Sequence, residues 1–181
     1  MKIVPIEDQY IERCLEIYSP YISNSHISFE NKVPSLSEYR MRVKKYSAQY
    51  PWIVAIESGQ VLGFAYGAEF KQRQAYQWSV ETSIYLSENA KGRGVAGKLY
   101  DSLFDYLDKA GYYNAFAGIA LPGDISVAFH EKFGFNKVAH FKNVGYKNEK
   151  WVDVGLWQKE IKKISDQSSP LAPYSFSDLL P

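Results

Sequence analysis

The stretch KGRGVAGKLY, Lys91 to Tyr100, decides how this chain is read. Two of its three glycines, Gly92 and Gly94, and the cations Lys91 and Arg93 precede an apolar pattern at helical spacing: Val95, Leu99, Leu103 and Leu107. The first turn of a helix carries amides without intrahelical partners and the positive end of the helix dipole, and glycines let that backbone approach an anion. Lys91, Gly92, Arg93, Gly94, Val95, Ala96 and Gly97 are therefore candidate phosphate-binding residues. The spacing is not that of a P-loop, because GxxxxGK[ST] is absent. Nor is it a dinucleotide fingerprint, which needs GxGxxG inside a strand–helix–strand unit and an acidic residue about 20 residues on. Taken alone, the stretch also fits a tight strand-to-helix turn.

Working outward, the helix from about Gly94 to Ala110 ends at Gly111, a C-terminal cap. Before it come a hairpin, Pro51 to Glu57 and Gln60 to Phe70 turning at Ser58-Gly59, and a third strand, Tyr76 to Ser87. After it come a buried-looking strand (YYNAFAGIAL), a short helix (DISVAFHEKF) closed by Gly134, and two last strands (NKVAHFKNVGYK and KWVDVGLWQKEI). At the front, Lys2 to Ile6 reads as a strand and Glu7 to about Ser19 as an amphipathic helix. After an irregular loop, SLSE (Ser35 to Glu38) is a capping box opening a helix to about Ala48. The chain reads as an α+β domain of about seven strands and four helices over residues 1–164. Residues 165–181 lack Lys and Arg and are rich in Pro and Ser; they read either as a loose tail or as an arm packing Leu171, Tyr174 and Phe176 on a neighbouring surface.

Composition narrows the function. A length of 181 residues suits one domain with a real core. A net charge of +1 leaves no electrostatic footprint for nucleic acid. The single cysteine, Cys14, sits at helical spacing with Ile11, Leu15 and Tyr18 and reads as a buried structural thiol in a reducing compartment. No apolar signal region or membrane-length run is found, so a cytosolic protein without membrane contact is expected. No metal is expected.

The order of strand SVETSIYL, KGRGVA, amphipathic helix, strand and SVAFHEKFGF resembles the GNAT superfamily of N-acyltransferases. In that family Arg/Gln-x-x-Gly-x-Gly/Ala binds the pyrophosphate of acetyl-CoA, and Lys91, Gly94 and Ala96 stand at the patterned positions. The chain is similar in particular to the phosphinothricin and methionine sulfoximine acetyltransferases. Seven segments match in order: Ser28-Phe29-Glu30, Tyr50-Pro51-Trp52, Lys71 to Tyr76 (KQRQAY), Glu81 to Tyr85 (ETSIY), Leu121 to Asp124 (LPGD) with Ser126, His130-Glu131, and Trp151 to Gln158 (WVDVGLWQ). Gly123 departs from the Asn usual in that branch. The resemblance implies the GNAT fold, with a central mixed, mostly antiparallel sheet, and acetyl-CoA as the cofactor. It also implies a small amine acceptor and a homodimer.

Acetyl transfer to an amine needs a base for the amine, a donor for the thioester oxygen and a proton for the leaving thiolate. Glu81 is the candidate base: alternation puts it with Ser83 and Tyr85 on one face, opposite Val80, Thr82, Ile84 and Leu86. A solvent-facing strand residue is the plainer alternative. The resemblance implies backbone contacts from Ile84 and Leu86 to the thioester and its arm, with Tyr85 in the same strand pointing away. His130 takes the place of the family's usual thiolate-protonating Tyr, and otherwise only bonds locally on its helix. Ser126 is a candidate cofactor contact, and Ser126 or Asp124 a candidate helix cap. Lys71, Arg73 and Tyr76 are implied to hold the acceptor's anionic group, with Phe29 and Glu30 lining the pocket and Val144 or Gly145 coming from a dimer partner. Two other readings stay open: a GNAT enzyme for a protein N-terminus or polyamine, and an acetyl-CoA-binding module without catalysis.

Overall fold

The computed structural model describes residues 1–164 and 170–180. Seven strands form one sheet: β1 (Lys2–Pro5), β2 (Trp52–Glu57), β3 (Gln60–Glu69), β4 (Ser79–Leu86), β5 (Asn114–Leu121), β6 (Asn136–Lys147) and β7 (Lys150–Glu160). Their order is β1-β2-β3-β4-β5-β7-β6. Every neighbouring pair is antiparallel except β4 and β5. The helices are α1 (Asp8–Ser23), α2 (Leu36–Gln49), α3 (Val95–Ala110) and α4 (Asp124–Lys132).

Local chemistry accounts for these elements. Ser35 and Glu38 form the reciprocal capping box: the Glu38 amide donates to Ser35 Oγ at 3.3 Å, and the Ser35 amide to Glu38 Oε2 at 2.7 Å. Ser58 and Gly59 both take positive φ in the two-residue turn that sets Glu57 against Gln60. Gly111, at φ +94°, closes α3. The expected end of α1 near Ser19 is wrong by a turn, because the helix runs through Pro20 to Ser23. The proline costs one backbone bond near the helix end, while the apolar face of Ile11, Leu15, Tyr18 and Ile22 continues past it into the core.

Each face of the sheet has its own core. On one face α3 packs Val95, Leu99, Tyr100, Leu103 and Leu107 on Ala65, Val80, Ala115, Ala117 and Trp157. On the other, α1 and α2 pack Ile11, Cys14, Tyr18, Tyr39 and Val43 on Trp52, Val54 and Phe64. Cys14 is fully buried, and burial pushes its thiol far above the ordinary range, so it stays an inert core group.

Part of the C-terminal segment lies outside the described residues. Residues 170–180 pack on their own domain: the Tyr174 amide donates to the Ala110 carbonyl at 2.8 Å and Trp78 Nε1 to the Leu171 carbonyl at 2.8 Å. Of the three apolar side chains singled out from the sequence, Phe176 enters the α3 core against Tyr106, while Leu171 and Tyr174 remain exposed. Phe176→Ala should cost about 3–5 kcal/mol of unfolding free energy, read from urea denaturation; a loss below about 1 kcal/mol would show that the arm is only laid on the surface.

Candidate active site

The site begins where β4 and β5 part. They pair only at Ser79, Val80 and Glu81, against Asn114, Ala115 and Phe116. From Thr82 onward β4 keeps its other partner, β3, as far as Leu86. The Ser87 amide donates to the Leu62 carbonyl at 2.8 Å, which fixes the alternation of the antiparallel ladder. Tyr85, Ser83 and Glu81 therefore bond toward β3, and Leu86 and Ile84 turn their N–H and C=O groups toward the gap. Tyr85 points its side chain into the α1/α2 core, edge-on to Tyr18 at 4.6 Å.

At the far end of β4 the chain passes through Gly92 and Gly94, both at positive φ, into α3. No atom lies within 4 Å of where a Cβ would stand at either glycine, so the backbone is open to a ligand. The first helical bond is Lys98 N–H to the Gly94 carbonyl at 3.3 Å, which leaves the Val95, Ala96 and Gly97 amides without intrahelical acceptors. An anionic diphosphate with an amide-bearing arm fits this arrangement of free amides and open strand edge. The cations already have partners: Lys91 bonds Glu88 at 2.6 Å, and Arg93 pairs with Glu57. The main chain is thus the part of this loop left free to hold a diphosphate.

Glu81 is the last β4 residue to pair with β5. Its carboxylate lies over Gly118, where a Cβ would stand 3.8 Å from Oε1. Gly118 lines a cavity of about 680 Å³ with His26, Leu121, Gly123, Ser126, Trp151 and others. Desolvation raises the carboxyl's pKa, with no cation or hydrogen bond acting against it. Phe116 stands beside Glu81 and stacks on Phe70 at 3.9 Å, and Lys71 Nζ sits 5.1 Å above the Phe70 ring and 5.0 Å above that of Tyr76.

The other expected residues fall in several places. Lys71, Arg73 and Tyr76 line a separate hollow of about 200 Å³ with Tyr50, Tyr112 and Pro173. Phe29 covers Gly145, where any Cβ would collide with its ring, and Val144 is exposed on an irregular stretch of β6. Glu30 is held by the Arg42 fork at 2.6 and 3.0 Å and by Tyr18 at 2.8 Å. Burial would raise its pKa, but Arg42 and Tyr18 outweigh that and hold the carboxyl low, so Glu30 clamps its loop rather than standing free for a ligand.

His130 is buried, with both ring nitrogens engaged: Nε2 meets the Tyr100 hydroxyl at 2.8 Å and Nδ1 the Ser126 carbonyl at 2.7 Å. Burial lowers its pKa and outweighs the Ser126 bond, which favours a neutral imidazole. Neither Asp124 nor Ser126 caps α4. Gly123 holds the cap position without a side-chain bond, Asp124 already lies inside the helix, and the Ser126 hydroxyl turns to His130 Nδ1 at 3.3 Å. At Gly123 a Cβ would fall 2.6 Å from the Ala120 carbonyl oxygen, so this backbone path leaves no room for the Asn usual in the similar branch. Sequence reasoning missed Tyr100, Thr82, Gly118 and Phe116. Gly118 and Phe116 share their parity in β5, and only the strand pairing reveals that they flank Glu81.

Residues 3–156 match the family described as the acetyltransferase (GNAT) domain. The chain belongs to the GNAT acetyltransferases. It is 33% identical over 147 residues to the phosphinothricin N-acetyltransferase of Streptomyces viridochromogenes, covering 81% of this chain and 80% of that one. It is 30% identical over 112 residues to the L-methionine sulfoximine/L-methionine sulfone acetyltransferase of Salmonella typhimurium, covering 62% and 66%. A phosphinothricin acetyltransferase from Sinorhizobium meliloti, solved with AcCoA, superposes with a TM-score of 0.90 at 28% identity over 97% of this chain and 96% of that one. GNAT acetyltransferases draw their acetyl group from acetyl-CoA, so this chain is an acetyl-CoA-dependent N-acetyltransferase. Among the described residues, no helix is long and apolar enough to cross a membrane.

Glu81 carries a small cost, because its side chain remains open to solvent. A carboxyl whose folded pKa is raised loses stability as pH climbs through that value, and the penalty disappears below the unfolded pKa near 4.5. Glu81→Gln should therefore melt above the wild type at neutral pH, with the difference closing below about pH 4.5. A variant that melts lower at neutral pH would mean that Glu81 is a structural partner instead.

Proposed function

We propose that this enzyme acetylates the α-amine of a small anionic amino acid or analogue of the phosphinothricin and methionine sulfoximine kind. The observation that carries the reading is the Glu81 carboxylate, which has no ion-pair or hydrogen-bond partner among the described residues and stands where β4 and β5 separate, open to solvent beside a cavity large enough for such an acceptor. The similarity to the phosphinothricin and sulfoximine enzymes supports the same acceptor class.

In this reading acetyl-CoA supplies the activated acyl group. The amides of Val95 to Gly97 hold its diphosphate and the gap-facing groups of Ile84 and Leu86 align its arm and thioester oxygen. Glu81 takes a proton from the acceptor's ammonium, directly or through a water, and its raised pKa makes it a stronger base than an ordinary carboxylate. The Ser126 carbonyl can only accept, so the proton of neutral His130 sits on Nδ1 and Nε2 accepts from the Tyr100 hydroxyl, which also lies 3.4 Å from Thr82 Oγ1 on β4. In this state His130 orients Tyr100, and the departing thiolate takes its proton from water in the cleft. Lys71 and Arg73 attract the acceptor's anionic group from their own hollow; Lys71 sits over Phe70, whose ring stacks on Phe116, the β5 partner of Glu81. Two copies of the chain meet through β6 and β7, whose Val138, Phe141, Val144, Tyr146 and Trp151 are exposed apolar side chains.

Thiol release from acetyl-CoA should accompany acetylation of methionine sulfoximine or phosphinothricin. Glu81→Gln should lower kcat/KM at least about 100-fold without weakening acetyl-CoA binding. The acid limb of the wild-type pH profile should lie above pH 4.5, because the base must be ionised to act. Arg73→Ala should raise KM for these anionic acceptors and leave KM for acetyl-CoA unchanged. Turnover of polyamines or peptide N-termini in preference to the anionic analogues would overturn the acceptor assignment.

A further inference from the structure

The open edge of β4 already has an occupant. Tyr21, on the last turn of α1, donates its hydroxyl proton to the Leu86 carbonyl at 2.7 Å and accepts from the Leu86 N–H at 3.3 Å. One side-chain oxygen thus serves both gap-facing groups of the last β4 residue. The two bonds are unequal: the first is short and the second long for an N–H donor. An amide-bearing arm running along β4 would meet the same groups as a neighbouring strand does, with its own N–H on the carbonyl and its own C=O on the amide. Tyr21 also touches the diphosphate loop, since Lys91 Nζ sits 5.8 Å above its ring. Tyr21, Leu86 and Lys91 together line a cavity of about 510 Å³ beside the gap.

We propose that Tyr21 is a latch on the cofactor channel, satisfying Leu86 in the free enzyme and giving way when the arm of acetyl-CoA takes over both groups. The inference rests on the reading of the β4 edge as the seat of that arm. Its consequence is opposite in sign to that of an ordinary binding residue. The latch stabilises only the free state, so part of the binding free energy is spent in opening it. Removing the hydroxyl should tighten binding. Tyr21→Phe keeps the ring, its edge-on contact with Tyr85 at 5.2 Å and its place beneath Lys91, and deletes only the two bonds to Leu86.

The test is calorimetric titration of wild type and Tyr21→Phe with coenzyme A and with adenosine 3′,5′-bisphosphate, which lacks the arm. Amide exchange at Leu86 is followed by NMR in the ligand-free proteins. The latch predicts coenzyme A binding about 3- to 10-fold tighter in Tyr21→Phe, the worth of one ordinary hydrogen bond. It predicts unchanged affinity for the bisphosphate and faster Leu86 exchange in the free variant. Unchanged or weaker coenzyme A binding, an equal shift for both ligands, or unaltered Leu86 exchange would overturn it. If wild type binds coenzyme A and the variant does so equally well, the latch alone fails. If neither binds, the cofactor channel fails with it.

Discussion

Everything in this molecule that bears on chemistry depends on a parallel pair that stops after three residues. β4 and β5 share Ser79–Glu81 with Asn114–Phe116 and then separate, while β3 and β7 go on holding their outer edges. A strand edge in the middle of a sheet exposes N–H and C=O groups that must find partners. Here they face a gap that opens toward the glycine-rich start of α3. The same divergence puts Glu81 at the apex, the last side chain before the gap, with Gly118 opposite leaving room for a reactant. The two cores on either face hold this geometry rigid. α3 packs beneath β4 on one side, and Tyr85 locks β4 into the α1 and α2 layer on the other.

Electrostatics at the site follow from what is paired and what is not. Glu30, Lys91 and Arg93 look alike in sequence as charged candidates, yet each has a partner of opposite sign. Among the described residues Glu81 has none, and partial desolvation raises its proton affinity. A carboxylate with a raised pKa and no partner, open to a cleft, is a candidate for proton transfer. His130 is a contrasting case, since its bonds to the Tyr100 hydroxyl and the Ser126 carbonyl draw it into the core as a neutral imidazole.

Much of the scaffold was legible because its signals are local. The SLSE box, the Ser58-Gly59 turn, the Gly111 cap and the alternation of ETSIY each depend on a few neighbouring residues, and each is found in its expected form. What escaped depends on pairing between distant segments. The first helix is expected to end near Ser19, yet it runs through Pro20, Ile22 beyond it is core, and Tyr21 thereby lies on the helix that faces Leu86. Phe116 and Gly118 became site residues only through the register of β5 with β4. The grouping of Lys71, Arg73 and Tyr76 was visible in the sequence, but not that they line a hollow apart from the one beside Glu81.

The most direct test of the central claim is a crystal structure of the enzyme with coenzyme A. The account predicts the diphosphate on the amides of Val95, Ala96 and Gly97, and the arm laid along β4 with hydrogen bonds to Ile84 and Leu86. The thiol should lie within a few ångströms of the Glu81–Gly118 apex. An arm that passes outside the β4–β5 gap, or a thiol directed away from Glu81, would contradict it.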